Sequence, residues 1–415
     1  MVGTNNQKNR GERMRVLRIA HSSLTSALRE RERALARGYP DVDLEVVTTD
    51  RWREAEIEVE ATADDLLRVT MARPHLSKHI QLFAYDPRPI VAALYRHRPH
   101  LIDLNHEPYS VACAEILTLC NWFAPHTPVV MQTNQNILRR YPPPFNWLER
   151  RAFRSVAAAY GCSETVCEVL RAKGFEKPAP IIPFGVNIET FRPRPATEPE
   201  SKRTLTIGFV GRMLRGKGLN ILAEALGKLT SETWRLLVVG DGPERVTFEQ
   251  TLAACGLLER AQFTGAINYD AVPDFYQQMD VLVMPTQTTK RIREQFGRVL
   301  VEAMASGVPV IGSTCGAIPE VIDGAGLVVP EGDADTLAGA LRRMLSDGAL
   351  RARLARNGRE RVEQHYSWER VADKTYELFR QVLKNGEATA LNRTFATAPL
   401  VTLGCAMMSV LELVA

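Results

Sequence analysis

Residues 205–220 read LTIGFVGRMLRGKGLN. A short apolar run ends at Val210, a loop marked by Gly211 and Gly216 follows, and a helical pattern begins near Lys217, the order of a strand that turns into a helix. An α/β domain is expected. The same loop imitates the phosphate cradle of nucleoside triphosphate hydrolases, with four residues between Gly211 and the pair Gly216–Lys217. That fingerprint needs Ser or Thr after its lysine, because the hydroxyl holds the magnesium between the terminal phosphates. Here Gly218 follows, and Arg212, Met213, Leu214 and Arg215 are too bulky for a cradle of bare amides. The hydrolase reading is set aside, and the question becomes which other phosphate chemistry the loop serves.

Working outward, the alternation continues. Strands are expected at 205–210, 235–240, 262–265, 281–285, 309–312 and 326–330, with helices near 217–229, 243–255, 270–277, 297–305, 333–346, 348–363 and 367–384. Upstream lies a polar, proline-bearing stretch, NIETFRPRPATEPESKR (187–203), which reads as a linker. Before it comes a similar series: strands at 16–20, 44–49, 101–104, 128–133, 157–161 and 180–183, and helices near 24–37, 88–97, 110–123, 145–154 and 163–173. Strand–helix repetition of this kind predicts parallel sheets covered on both faces. The fold class is therefore α/β, two doubly wound Rossmann-like domains facing a central cleft. Their expected bounds are 1–186 and 204–366 around the 187–203 linker. A terminal helix at 367–386 is placed to cross back to the first domain, and 387–415 is an extension of unknown role. Ligands of such sheets bind at the carboxyl ends of the strands.

Composition limits the function classes. The chain has 415 residues, 45% hydrophobic and 24% charged, which suits soluble globular domains rather than a disordered or fibrous chain. A net charge of +4 is too small to argue for nucleic acid. The seven cysteines are scattered without metal-ligand spacing, and reduced buried thiols are expected. No secretory pattern opens the chain, so the cytoplasm is the default compartment.

The most specific stretch is REQFGRVLVEAMASGVPVIGSTCGAIPEVI (293–322). Glu294 stands ahead of a helix beginning near Gly297, and Glu302 follows it by eight positions, among Val299, Leu300, Ala303 and Met304. A carboxylate on a buried helix face costs several kcal/mol unless hydrogen-bonded. Either Glu302 pairs internally, or it meets a ligand diol such as a ribose.

Five segments in order, GRMLRGKG, the Glu–seven residues–Glu pair in EQFGRVLVE, EAMASGVPVIG, VVGDGPER (238–245) and IIPFGVNIETFRP (181–193), resemble the retaining glycosyltransferases of family four, with the GT-B architecture. The resemblance covers roughly residues 15–385. It implies that Arg212 and Lys217 hold the donor's diphosphate, that Glu302 binds the nucleotide ribose, and that Glu294 contacts the transferred sugar. Gly211, Phe296, Gly297, Arg298 and Val299 belong to the same donor surface. Two cations and a helix N-terminus suit the charge that develops on a departing nucleoside diphosphate. No cofactor and no metal are implied. The one Asp–any–Asp match considered, DVD at 41–43, precedes an early strand and reads as a solvated turn.

On the acceptor side, IDLNHEPYS (102–110) places His106 and Glu107 just past a strand, as either structural or acceptor-contacting groups. Two departures stand out. The loop after the first strand, HSSLTSALRERERALA (21–36), lacks the family's Gly-Gly, leaving Ser22, Ser23 and Thr25 as replacements. Where relatives carry a histidine after the fifth strand, this chain has QTNQN (132–136), so Asn134 or Gln135 takes its place, and neither is a base. The segment 137–154 mixes five arginines with Tyr141, Phe145, Trp147 and Phe153, as an ordinary basic helix or as a surface for anionic lipid. The tail 398–415 contains Pro399 and Gly404 and is short for a span, so a docked or poorly ordered extension is expected. The sequence-level reading is a metal-independent retaining transferase moving a hexose from a nucleotide-diphosphate sugar to a glycan, lipid-linked or small-molecule acceptor. It would be cytoplasmic, with peripheral contact at the inner membrane face through 137–154 and no nucleic-acid partner. The rivals are an epimerase of the same fold and a nucleotide- or glycan-binding protein without transfer.

Overall fold

The computed structural model describes residues 13–54, 57–77, 79–194, 204–290 and 292–390. The first sheet has six parallel strands: β1 (Met14–Ala20), β2 (Val42–Thr49), β3 (Arg68–Ala72), β4 (Leu101–Asn105), β5 (Val129–Gln132) and β6 (Ala158–Tyr160), in the order β3-β2-β1-β4-β5-β6. The second repeats that order with β7 (Leu205–Val210), β8 (Trp234–Val239), β9 (Ala261–Phe263), β10 (Val281–Met284), β11 (Val310–Ser313) and β12 (Leu327–Val329), as β9-β8-β7-β10-β11-β12. Two doubly wound sheets are thus present.

Central strands are covered on both sides, which is why they read as continuous apolar runs. In β1, Leu17 and Ile19 join the cluster under the helices Pro87–His97 and Val111–Phe123, while Val16 faces the helices Glu30–Gly38 and Trp368–Ala390. Helix starts follow local capping chemistry: Asp86 accepts from Arg88 N, Ser110 from Cys113 N, and Asp333 from Thr336 N.

Sequence and structure part at the sheet margins. The expected strand at 180–183 is not one; Ile181 makes a single bridge to Gly161, and the prolines on either side cannot donate to a ladder. The sixth strand is instead β3, an edge strand whose half-exposed alternation gave no apolar run. The helix expected from residue 24 begins only at Glu30, after a 3-10 turn over Ser26–Arg29.

One layer of the first domain is ionic. Arg18, on β1, is buried and donates to Asp103 Oδ2 (2.6 Å), Gln132 Oε1 (3.0 Å) and the Tyr160 hydroxyl (3.2 Å), and it pairs with Glu32. Arg31, from the covering helix, adds bonds to Asp103 Oδ2 (3.0 Å) and Tyr160 (2.7 Å), and the Tyr160 hydroxyl donates to Asp103 Oδ1 at 2.8 Å. Burial alone raises the Asp103 carboxyl, but the guanidiniums of Arg18 and Arg31 outweigh it and hold the group below its ordinary range.

The chain crosses between the domains twice. Val186 N donates to Tyr366 O (2.9 Å), a bridge pairs Val186 with Ser367, and a side chain at Gly185 would collide with the Trp368 ring at 2.3 Å. After the second crossing, the Trp368–Ala390 helix packs on the first domain, where Tyr376 stacks on Tyr39 with ring centroids 3.8 Å apart. Residues 195–203 of the expected linker and 391–415 of the expected tail lie outside the described residues.

The ionic layer makes a stability prediction. Asp103→Ala leaves two buried guanidiniums without their shared carboxylate, and truncating one partner of a buried pair costs about 3–5 kcal/mol. Urea unfolding followed by circular dichroism should show that loss; one below about 1 kcal/mol would mean the arginines find other partners.

Candidate active site

In both sheets the strand order reverses between the first and fourth strands, and loops leaving these two strands flank the crevice where open α/β sheets take ligands. In the second domain those loops are 211–218, after β7, and 285–297, after β10. They touch backbone to backbone. Gly218 has φ +76°, and a Cβ there would stand 1.8 Å from the Pro285 carbonyl oxygen, while Gln287 N donates to Gly216 O at 2.8 Å. A Ser or Thr has no room at 218, which is the structural reason the hydrolase fingerprint fails.

This contact brings two expected site residues together. Lys217 Nζ lies 2.8 Å from Glu294 Oε2. Arg212 is exposed on the same loop; its backbone carbonyl accepts from Leu214 N at 2.9 Å, while its side chain has no hydrogen bond or ion pair among the described residues. The loop itself is fixed by Met213, which is buried and donates its N–H to Asp241 O at 2.9 Å.

The Glu294 segment is held from several sides. Ala317 N donates to Glu294 O (3.1 Å), and Gly316, at φ +58°, comes so close that a Cβ would be 2.1 Å from that oxygen. From the first domain, Asn136 Nδ2 donates to both Arg293 O and Glu294 O at 2.9 Å, and Ser163 Oγ to Gln295 O at 2.8 Å. The carboxyl edges of the two sheets therefore meet around this segment. Phe296 is buried against Phe184 and Tyr366, and Gly297 caps the helix Arg298–Ala305.

Glu302 is 5% exposed, and the structure pairs it internally. Its Oε1 accepts from the Tyr269 hydroxyl (2.9 Å), its Oε2 from Tyr276 (3.0 Å), and Arg298, itself bonded to Tyr269, stands 3.6 Å away. Tyr276 also reaches Val299 O at 3.3 Å. Burial raises the Glu302 carboxyl, against the pull of Arg298 and the two phenols. A ribose on Glu302 would have to take the place of a phenol, and Tyr269, 41% exposed, is the one at the surface.

On the opposite edge, Ser22 is exposed and accepts from Asn105 Nδ2 at 3.4 Å. His106 is not at a surface: it is buried among His21, Phe83 and Tyr85, with Nε2 hydrogen-bonded to the Tyr85 hydroxyl at 2.9 Å, and burial pulls it far below the ordinary histidine range. The Glu107 carboxylate accepts from Thr133 Oγ1 (2.5 Å) and Asn134 N (2.9 Å), so it organises the loop after β5. Burial raises it above its ordinary range. Gln135 is tied to Tyr141 and Lys173. The DVD segment lies at the amino end of β2, away from the crevice, where Asp41 takes the Tyr376 hydroxyl.

Besides Tyr269, three residues went unnoticed in the sequence. Arg29 is fully buried and donates to the carbonyls of Ser23, Leu24, Thr62 and Ala63 and to Asp64, fixing the glycine-free loop after β1. His21 packs beside His106, and burial lowers it to about 4. Asn136 bridges the domains. Each acts on partners from other elements, and only the alternating arginines of RERERALA hinted at more than a solvated helix.

Comparison with known proteins agrees with this fold. Residues 192–361 match the family model of glycosyl transferases group 1, and residues 28–190 that of glycosyltransferase family 4. The chain is 28% identical over 240 residues to the phosphatidylinositol N-acetylglucosaminyltransferase gpi3 subunit of Schizosaccharomyces pombe, covering 57% of this chain and 51% of that one. It is 31% identical over 211 residues to a GDP-mannose-dependent alpha-(1-6)-phosphatidylinositol monomannoside mannosyltransferase of Mycobacterium tuberculosis, covering 48% and 55%. The matched stretch thus spans about half the length of these curated relatives. Among solved structures, Anabaena HepE in complex with UDP-glucose superposes with a TM-score of 0.64 at 18% identity, covering 89% of this chain and 100% of that one, a likeness of fold. With the two models adjoining across both domains, the chain belongs to the family 4, group 1 glycosyltransferases.

Proposed function

We propose that this chain is a retaining, metal-independent hexosyltransferase that uses a nucleotide-diphosphate sugar. The observation that carries the reading is the Lys217–Glu294 pair beside Arg212, whose side chain has no partner among the described residues, at the reversal point of the second sheet and under the edge of the first. Arg212 and Lys217 would meet the diphosphate, whose negative charge grows as the sugar leaves, and fixed cations stabilise that charge without needing a metal. Lys217 is already neutralised by Glu294, so an incoming diphosphate would share it and free a carboxylate oxygen for a sugar hydroxyl. The helix starting at Arg298 adds its N-terminal partial charge. Asn134 offers no base on the opposite face, so the acceptor's proton is assigned to the departing phosphate oxygen, on the face the sugar leaves. That path keeps the anomeric configuration.

A lipid-linked or glycan acceptor is the narrower part of the proposal. Leu138 and Trp147 are 59% and 62% exposed beside Arg139, Arg140, Arg150 and Arg154, and Trp122 is 61% exposed on the helix packed next to them. Indoles among cations suit an interface of acyl chains and anionic headgroups. The two relatives above are named for phosphatidylinositol-based acceptors, which supports the same choice. No described helix is long and apolar enough to cross a membrane.

Four outcomes test these assignments. Arg212→Ala and Lys217→Ala should each lower donor turnover by about 10²-fold or more while leaving the melting temperature unchanged. In the same assay, run with EDTA and an α-linked donor, proton NMR of the first product should show the α configuration; a β product or wild-type turnover in both variants rejects the reading. Glu302→Gln should weaken nucleoside diphosphate binding about tenfold if the carboxylate takes ribose hydroxyls, since hydrogen bonds to charge carry that much. Unchanged affinity with a lower melting temperature assigns Glu302 to the tyrosines alone. The chain should also co-sediment with phosphatidylserine vesicles and lose this with Trp147→Ser and Arg150→Ser; equal sedimentation of the variant dismisses the 137–154 surface.

A further inference from the structure

We infer that Asn136 is a positioning residue that sets the sugar-contacting carboxylate of the second domain from within the first, an inference that rests on the function proposed for Glu294. Asn136 follows β5, is 3% exposed, and lies 157 and 158 positions from its partners. A carboxamide nitrogen has two hydrogens. Both are used, one toward Arg293 O and one toward Glu294 O, each at 2.9 Å. The contact is returned, because Arg293 Nη1 donates to the Asn136 backbone carbonyl at 3.3 Å.

The neighbouring carbonyl is held the same way. Gln295 O accepts from Ser163 Oγ at 2.8 Å and from Cys162 Sγ at 3.5 Å, both just beyond β6. Three consecutive carbonyls, those of residues 293, 294 and 295, thus take donors from the first domain. The second domain supplies Ala317 N to the Glu294 carbonyl and Lys217 to its side chain. Separating the domains would remove the first set and leave the second. The peptide that aims Glu294 is therefore completed only when the two carboxyl edges meet, whereas Arg212, Lys217 and Glu302 keep their places within the second domain. Nucleoside diphosphate binding and sugar transfer are in this way assigned to different contacts: the first needs one domain, the second needs both.

Asn136→Asp keeps the shape and exchanges two donors for an oxygen facing carbonyls, and Asn136→Ala removes the group without repulsion. Hydrogen exchange at residues 293–297 should quicken in both variants, a readout independent of any donor. With UDP- and GDP-hexoses, kcat should fall about tenfold or more, while the Kd for UDP or GDP stays within about twofold of wild type. Unchanged exchange and unchanged kcat in both variants would overturn the assignment, as would an equal loss of nucleotide affinity and kcat, which marks general damage to the fold. A wild-type chain that turns over no sugar nucleotide would instead reject the functional reading, and the exchange result would then still decide whether Asn136 fixes the segment.

Discussion

The contact between Gly218 and the Pro285 carbonyl is the constraint on which the site depends. Two loops leave neighbouring parallel strands at the point where the sheet order reverses, and only a residue without a Cβ lets their backbones touch. Because they touch, Lys217 reaches Glu294 across 77 residues of sequence. The loop's likeness to a triphosphate cradle is thus a likeness of spacing alone. What it positions is a pair of long cations beside a carboxylate.

The first domain solves the corresponding problem by other means. Its loop after β1 has no glycine, and the fully buried Arg29 guanidinium gathers four backbone carbonyls and Asp64 to hold it. Beneath it, Arg18, Arg31, Asp103 and Tyr160 form a second polar layer between sheet and helix. Buried charges of this kind are costly unless every group finds a partner, so they demand one register and one helix placement where an apolar layer would tolerate several. The edge that faces the second domain is correspondingly well defined.

Much of this was legible in the sequence. Apolar runs located eleven of the twelve strands of the two six-stranded sheets because these parallel strands are largely buried; β3 escaped because its residues are mostly half-exposed, and 180–183 misled because its isoleucines make only a single bridge. Lys217 and Glu294, which the structure pairs, were legible because each lies in a segment that carries the family resemblance. Tyr269, Arg29 and Asn136 were not, since each also bonds partners far away in sequence, Glu302 and Thr62 at 33 positions and Glu294 at 158. His106 was left open, structural or acceptor-contacting, by its place beyond a strand; the rings of His21, Phe83 and Tyr85 that enclose it come from positions the local pattern did not connect.

The two chain crossings lie side by side, joined by the Val186–Ser367 bridge and by Trp368 lying where a side chain at 185 would stand. A single connecting strand would leave one domain free to twist and slide against the other. Two adjacent strands, bonded to each other, resist shear and torsion and leave rotation about the line between them as the softest displacement. Such a joint gives the pair of domains one principal degree of freedom, like the spine of a book. The far edges of the crevice then travel farthest for a given angle, so a small rotation at the spine is enough to admit or exclude a bulky substrate at the opening.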